Sequence, residues 1–274
     1  MRIDSHQHFW KYDSQRDSWI NDEMKVLKKD FMPADLKIIF KENLIDGCVA
    51  VQADQSERET EFLLSLANKN QFIKGVVGWV DFGKRDVNDS LSYFSAHKKI
   101  KGFRHIIQAE PAGFLLSDTF QRGITKLNKY NFTYDIVISP KQLIEAYIFV
   151  KKNPNQKFVI DHLAKPSIKE NGFKHWKKLI EPFSVLENVY CKLSGLVTEA
   201  DWTHWKEENF KPYLDEIVNK FGINRIMYGS DWPVCLLAAS YQKQLLIIEN
   251  YFQLFSQSEK EKVFGKNAIQ FYNL

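Results

Sequence analysis

The strongest constraint on this 274-residue chain is its alternation of short apolar runs with segments of helical spacing. The first run begins at residue 2. Six more follow at Asp46–Ala53, Ile73–Phe82, Ile100–Ile107, Phe132–Ile138, Lys157–His162 and Asn188–Gly195, and an eighth begins at Arg225. Strands that are mostly apolar throughout are buried on both faces, as in a parallel sheet covered by helices. The intervening segments carry helix-start signals. Pro33 opens a helix to about Asn43, Ser56 caps one to about Asn70, and another covers Asp89–His97. Ser117 or Asp118 starts one to about Tyr130, and Ser139-Pro140 starts the next. Further helices fall near Phe173–Leu186, Phe210–Phe221, Tyr241–Phe255 and Glu259–Phe264.

Two architectures accommodate this alternation. A doubly wound open sheet gathers its site at one switch point, whereas a barrel collects it from the carboxyl ends of several strands. Here chemistry-bearing residues end strands one, four, six and eight, which predicts a (β/α)8 TIM barrel. The length fits one such barrel of ~250 residues. No repeat at solenoid spacing and no low-complexity segment divides the chain, so residues 1–274 read as one domain. Residues 10–32 lack a steady period but hold Trp10, Tyr12, Trp19 and Phe31, which predicts an ordered loop over the barrel mouth.

Composition narrows the function classes. A net charge of +4, with lysines scattered rather than striped, argues against a nucleic-acid partner. No run approaches the ~20 apolar residues of a membrane span, and none of the features of a leader precedes the first strand. A cytoplasmic protein without a membrane partner is expected. Cys48, Cys191 and Cys235 are odd in number and unpaired in spacing. No disulfide is expected, and Cys48 and Cys191 read as small core residues.

The candidate chemistry starts with His6-Gln7-His8. On a strand, His6 and His8 project to one face, where two imidazoles can ligate a divalent metal or polarise a carbonyl. Two half-buried histidines opening a strand would look the same. Asp4 shares their face at greater depth and reads as a buried polar prop. His162 ends the sixth run, and a hydrogen bond to a neighbouring carbonyl is its plainer role. With His162 directed inward, Asp161 should point away and be structural. Asp231, at the end of a buried run beside Trp232, needs a partner for its charge or else caps the next segment. Arg104 ends the fourth run on the face of Gly102 and Gln108. It can grip an oxyanion or carboxylate, or bridge to a loop carboxylate. Gln52, Trp79, His105, Gln108 and Lys192 lie near strand ends, where amides and a flat aromatic face suit a polyhydroxylated ring. His105 should face opposite to Arg104 if the strand continues.

Several segments together resemble the amidohydrolase superfamily, and within it the sugar-lactone hydrolases related to L-fuconolactonase and L-rhamnonolactonase. They are Ile3-Asp4-Ser5-His6-Gln7-His8-Phe9-Trp10, Val51-Gln52-Ala53, Glu59-Thr60-Glu61-Phe62-Leu63 and Lys101-Gly102-Phe103-Arg104-His105 with Gln108. Asp161-His162-Leu163-Ala164-Lys165-Pro166, Lys192-Leu193-Ser194-Gly195 and Tyr228-Gly229-Ser230-Asp231-Trp232-Pro233 complete the set, in order along the whole chain. One departure is Ala164, where the family more often has Gly. The resemblance implies that Asp231 takes a proton from the attacking water and that His162 helps hold the reacting carbonyl or a metal.

Superfamily members with two metals use a carboxylated Lys ending the fourth strand and a His ending the fifth. Here those strands end in Arg104-His105 and Ile138-Ser139, so a second metal lacks its ligands. The expectation is therefore no required cofactor, or one divalent ion, zinc by preference, on His6, His8 and Asp231. The leading reading is a lactonase that opens a small-molecule sugar lactone to the aldonic acid. Asp231 would act on water, while His6, His8 and Arg104 stabilise the oxyanion. A single-metal decarboxylase or hydratase of the same superfamily is the alternative. A binding protein on a retained barrel is disfavoured by the intact set His6, His8, His162 and Asp231. The sequence chooses neither the stereochemistry of the lactone nor the oligomeric state.

Overall fold

A computed structural model describes residues 1–274. Its first half runs β1 (Ile3–Gln7), α1 (Pro33–Glu42), β2 (Gly47–Val51), α2 (Glu57–Lys69), β3 (Ile73–Gly78), α3 (Val87–Ser95) and β4 (Ile100–Ile106). The second continues α4 (Asp118–Ile124), β5 (Thr133–Val137), α5 (Leu143–Lys152), β6 (Phe158–Ile160), α6 (Phe173–Ile180), β7 (Val189–Leu193), α7 (Lys211–Phe221) and β8 (Ile226–Tyr228). Three helices end the chain: α8 (Tyr241–Tyr251), α9 (Gln257–Glu261) and α10 (Asn267–Tyr272).

The strands pair in parallel in chain order from β1 to β8. The two ends of the sheet then meet. Asp231 N–H donates to the His6 carbonyl at 2.8 Å, and His8 N–H donates to the Trp232 carbonyl at 2.7 Å. This is the (β/α)8 barrel, with its strand ends and following loops gathered at one mouth.

The alternation of side chains along each strand builds two cores. Outward residues such as Cys48, Ala50, Phe103, Ile136 and Ile160 join helix residues in one cluster of 66 buried side chains. Inward residues Ile3, Val49, Val51, Val77, Val159 and Met227 fill the barrel, with Ala268, Phe271 and Tyr272 of α10 packed on the same cluster. Each such aliphatic or aromatic side chain contributes ~1.5–3 kcal/mol by leaving water. All three cysteines are buried and free.

Several boundaries differ from expectation for local reasons. The helix expected to reach Leu186 leaves α geometry at Glu181, next to Pro182, and finishes as a 3-10 turn. Ser139-Pro140 opens with a 3-10 turn before α5 begins at Leu143. β6 stops at Ile160, and β3 stops at Gly78. α10 was not expected; a π-type turn at Lys262–Lys266 precedes it. The loop over residues 10–32 is ordered as anticipated, with Trp10 and Phe31 exchanging backbone hydrogen bonds at 3.1 and 2.9 Å. No helix is long and apolar enough to cross a membrane.

Candidate active site

The side chains of His6, His8, His162 and Asp231 converge at the barrel mouth. His6 Nε2 lies 3.2 Å from His8 Nε2. Asp231 Oδ1 lies 3.8 Å from His6 Nε2, 3.4 Å from His8 Nε2 and 3.9 Å from His162 Nε2. Two backbone devices bring these residues to this point. The β1 register against β2 shifts between Asp4 and Gln7, so the strand changes which residues face inward. His162 and Asp231 both adopt left-handed backbone angles, φ +54° and +57°. Two glycines leave room for the rings. A Cβ on Gly229 would fall 2.7 Å from His6 Cβ, and one on Gly195 would fall 2.7 Å from His162 Nδ1.

The register shift explains one correction. Asp4 does not share the inward face of the two histidines. Its carboxylate accepts from the Ser230 and His6 amides at 2.9 and 3.1 Å and from the Tyr241 hydroxyl of α8 at 3.1 Å. It remains a buried polar prop, tying β1 to the turn after β8. Burial pushes its carboxyl up to about 6 against the pull of these donors.

A second correction concerns Asp161, expected to point away. Inward alternation continues from Val159 to Asp161 just past the end of β6, and the left-handed turn then brings His162 to the same site. Asp161 is fully buried at its centre. Its oxygens lie 3.3 Å from His6 Nδ1, 3.0 Å from Arg104 Nη1 and 3.0 Å from Lys192 Nζ. Burial would raise its carboxyl, but Lys192, His6 and Arg104 together hold it well below the usual range. Beneath it, Lys192 pairs with Asp135 at 2.5 Å, and Asp135 accepts from the Tyr272 hydroxyl at 2.7 Å. Arg104 also donates to the carbonyl and side-chain oxygens of Gln52, which leaves its Nε–H without a partner.

Protonation follows from these surroundings. Burial pushes the His6 imidazole well below its ordinary value and His162 down to about 4. Asp231 would be raised by burial, but the neighbouring imidazoles, His162 first, hold it below the usual carboxylate range. At neutral pH the mouth therefore holds neutral His6 and His162 rings facing an ionised Asp231.

This donor set fits one divalent cation. His8 Nδ1 lies 2.8 Å from the Val51 carbonyl, so its proton sits there and Nε2 carries the lone pair. His6 has a donor at each ring nitrogen, Arg104 Nη1 at 3.3 Å from Nε2 and Lys192 Nζ at 3.1 Å from Nδ1, with Asp161 Oδ1 3.3 Å from Nδ1. His6 Nε2, His8 Nε2 and a carboxylate oxygen of Asp231 face one another at 3.2–3.8 Å. Ligands ~2.0–2.1 Å from a tetrahedral zinc stand about 3.3–3.4 Å apart. The local charge agrees: the two buried cations Arg104 and Lys192 stand against three buried carboxylates of the site, Asp135, Asp161 and Asp231. His6, Asp161 and His162 form a second cluster of possible ligands. Both Asp161 oxygens there already face fixed cations, so one ion is the fit.

Comparison with known proteins agrees with this architecture. The family model described as amidohydrolase matches residues 3–274. The chain belongs to this amidohydrolase family. An L-fucono-1,5-lactonase of Burkholderia multivorans is 35% identical, with 100% of this chain and 96% of that protein covered. A second L-fucono-1,5-lactonase, from Burkholderia ambifaria, is 31% identical over the same shares. A crystal structure of an amidohydrolase from Burkholderia multivorans with bound zinc superposes with a TM-score of 0.97. It shares 35% identity and covers 100% of this chain and 99% of that one.

The amidohydrolase mouth opens into a cavity of about 320 Å³, within the ~300–1,000 Å³ range of small-molecule sites. His8, Arg104, His162, Asp231 and Gln108 line it, together with Trp10 and Trp19 from the 10–32 loop. The other expected substrate contacts lie elsewhere. Gln52 and Lys192 are fully buried and brace Arg104, Asp161 and His6 from behind. Trp79 donates to His105 at 3.1 Å, and His105 pairs with Glu110 at 2.7 Å and stacks on Phe114. His105 faces opposite to Arg104 because β4 continues through Ile106, so both rings pack behind the barrel wall.

Sequence reasoning passed over Gln55 and Lys165, which line the cavity, and Asp135 and Ser194 behind it. Asp135 had a signal, a lone carboxylate inside the apolar run Thr133–Val137. Gln55 had none, because a loop places it, while Lys165 stands in the Asp161–Pro166 motif and is aimed by the left-handed turn there.

Proposed function

We propose that this protein is a sugar-lactone hydrolase that opens an aldonolactone, L-fucono-1,5-lactone by preference, to the aldonate. The observation that carries the reading is the approach of ionised Asp231 to three imidazoles on the floor of a small pocket. It is supported by two lactonases alignable over the full chain. Water enters beside Asp231, and its oxygen adds to the lactone carbonyl as Asp231 takes one proton. The tetrahedral oxyanion collapses, the bond to the ring oxygen breaks, and Asp231 returns the proton to the departing hydroxyl. The new carboxylic acid then ionises at neutral pH.

Arg104 supports the oxyanion: it lines the pocket and carries a guanidinium charge at any working pH. Trp10 and Trp19 offer apolar faces to the ring, while the Gln108 side chain can read hydroxyls. His6, His8 and Asp231 would hold a divalent ion, with His162 beside them. Such an ion supplies carbonyl polarisation and a more acidic water. That supply matters because a carboxylate held so acidic is a weak base.

The test is turnover on a panel of aldonolactones by the zinc-supplemented protein, read as proton release. Opening of L-fucono-1,5-lactone far above its spontaneous rate is expected. A folded, zinc-supplemented protein that accelerates no aldonolactone overturns the reading and favours a decarboxylase or hydratase.

A further inference from the structure

Lys165 is a charged residue of the pocket wall that the reaction above leaves unused. It ends a turn in which His162, Leu163, Ala164 and Lys165 all have φ between +51° and +58°. Non-glycine residues adopt this left-handed conformation at a penalty, and such strain gathers where a side chain must be aimed. Lys165 N–H closes the turn on the His162 carbonyl at 2.7 Å, and Trp176 Nε1 clamps it through the Leu163 carbonyl at 2.7 Å. The turn that delivers His162 to the floor therefore delivers Lys165 to the wall.

Its charge is the uncommitted one. Arg104 and Lys192 are bound to Asp161 and Asp135 within 3.0 Å. Lys165 Nζ has only Glu199, at 3.7 Å and beyond hydrogen-bonding distance, with both side chains about one-quarter exposed at 27% and 23%. The reaction needs such a charge. A neutral lactone enters, and a carboxylate forms beside the ionised Asp231, which repels it. We propose that Lys165 is a product-binding residue that receives the newly formed carboxylate of a sugar acid, with Glu199 holding the ammonium at the wall until then. This rests on the lactonase reading for the identity of the acid.

The experiment is calorimetric titration of sodium L-fuconate into the wild-type protein, Lys165→Met and Lys165→Arg, at low and high salt, with lactone KM measured in parallel. Loss of a charge-assisted contact should weaken L-fuconate binding about tenfold or more in Lys165→Met. Lys165→Arg should keep most of the affinity, and KM for the neutral lactone should move less than about threefold. Salt should weaken binding to the wild type more than to Lys165→Met, since a partly exposed pair is screened. Equal L-fuconate affinity in wild type and Lys165→Met, or no binding to the wild type, overturns the proposal. Glu199→Gln gives an independent check: freeing the ammonium should tighten L-fuconate binding, and weaker or unchanged binding counts against the proposal. Failure of the lactonase reading shows separately, as absence of wild-type turnover, while L-fuconate binding still reports on Lys165.

Discussion

At the scale of single residues, what decides the chemistry is which charges are free to act. Asp231 faces three imidazoles and lines the cavity, whereas Asp161 and Asp135 are neutralised by Arg104 and Lys192 beneath it. Asp231→Asn should leave the barrel folded and lower kcat by ~10²–10⁴-fold, the usual loss when a general base is removed. Near-wild-type kcat in the folded variant would take Asp231 out of the mechanism. Arg104 has two duties, gripping Asp161 and offering a donor. Arg104→Met should lower kcat/KM by ~10²–10³-fold and also lower the melting temperature, because it strands a buried carboxylate. Arg104→Lys keeps the charge without the planar fork and should fall between. A fall in melting temperature with unchanged kcat/KM of the folded fraction would make Arg104 a brace only. Asp161→Asn removes the negative charge that faces His6 Nδ1 at 3.3 Å. Zinc affinity should then fall ~10–100-fold by competition titration; unchanged affinity would contradict that orienting role.

At the scale of elements, the turn after β6 and the start of α2 carry the most informative tensions. Ala164 sits at φ +58°, a conformation that glycine adopts freely, and it is the position where the family more often has Gly. Ala164→Gly should stabilise the protein by ~1 kcal/mol, a rise of ~2–4 °C in a thermal melt. No rise would mean that the turn is not strained there. Glu59, in the first turn of α2, is buried and accepts from the Ala53 amide at 3.3 Å. Burial pushes its carboxyl up to about 7, against that amide and Arg16. A folded-state value above the unfolded one gives stability that is complete below about 4.5 and lost as pH rises through about 7. The loss is on the order of 3 kcal/mol. Glu59→Gln should therefore raise the melting temperature at pH 8 and change it little at pH 4. An equal effect at both pH values would show that ionisation of Glu59 is not what strains α2.

At the scale of the whole molecule, the barrel was legible because eight apolar runs and their helix caps leave few other arrangements. The strand-end rule likewise located His6, His8, Arg104, His162 and Asp231. What failed was inference of direction near strand ends. Strict alternation misplaced Asp4 and Asp161, because a register shift in β1 and a left-handed turn after β6 allow neighbours to converge. Proximity to a strand end also did not make Trp79 or His105 a pocket residue; their own pairing holds them behind the wall. The proposed function requires that this mouth, with at most one metal ion, opens sugar lactones. The most direct measurement follows L-fucono-1,5-lactone opening and zinc content in the same preparation. Turnover far above the spontaneous rate is expected, with no more than about one zinc per chain. A folded preparation that carries zinc and leaves the lactone at its spontaneous rate, or that requires two metals per chain, would contradict it.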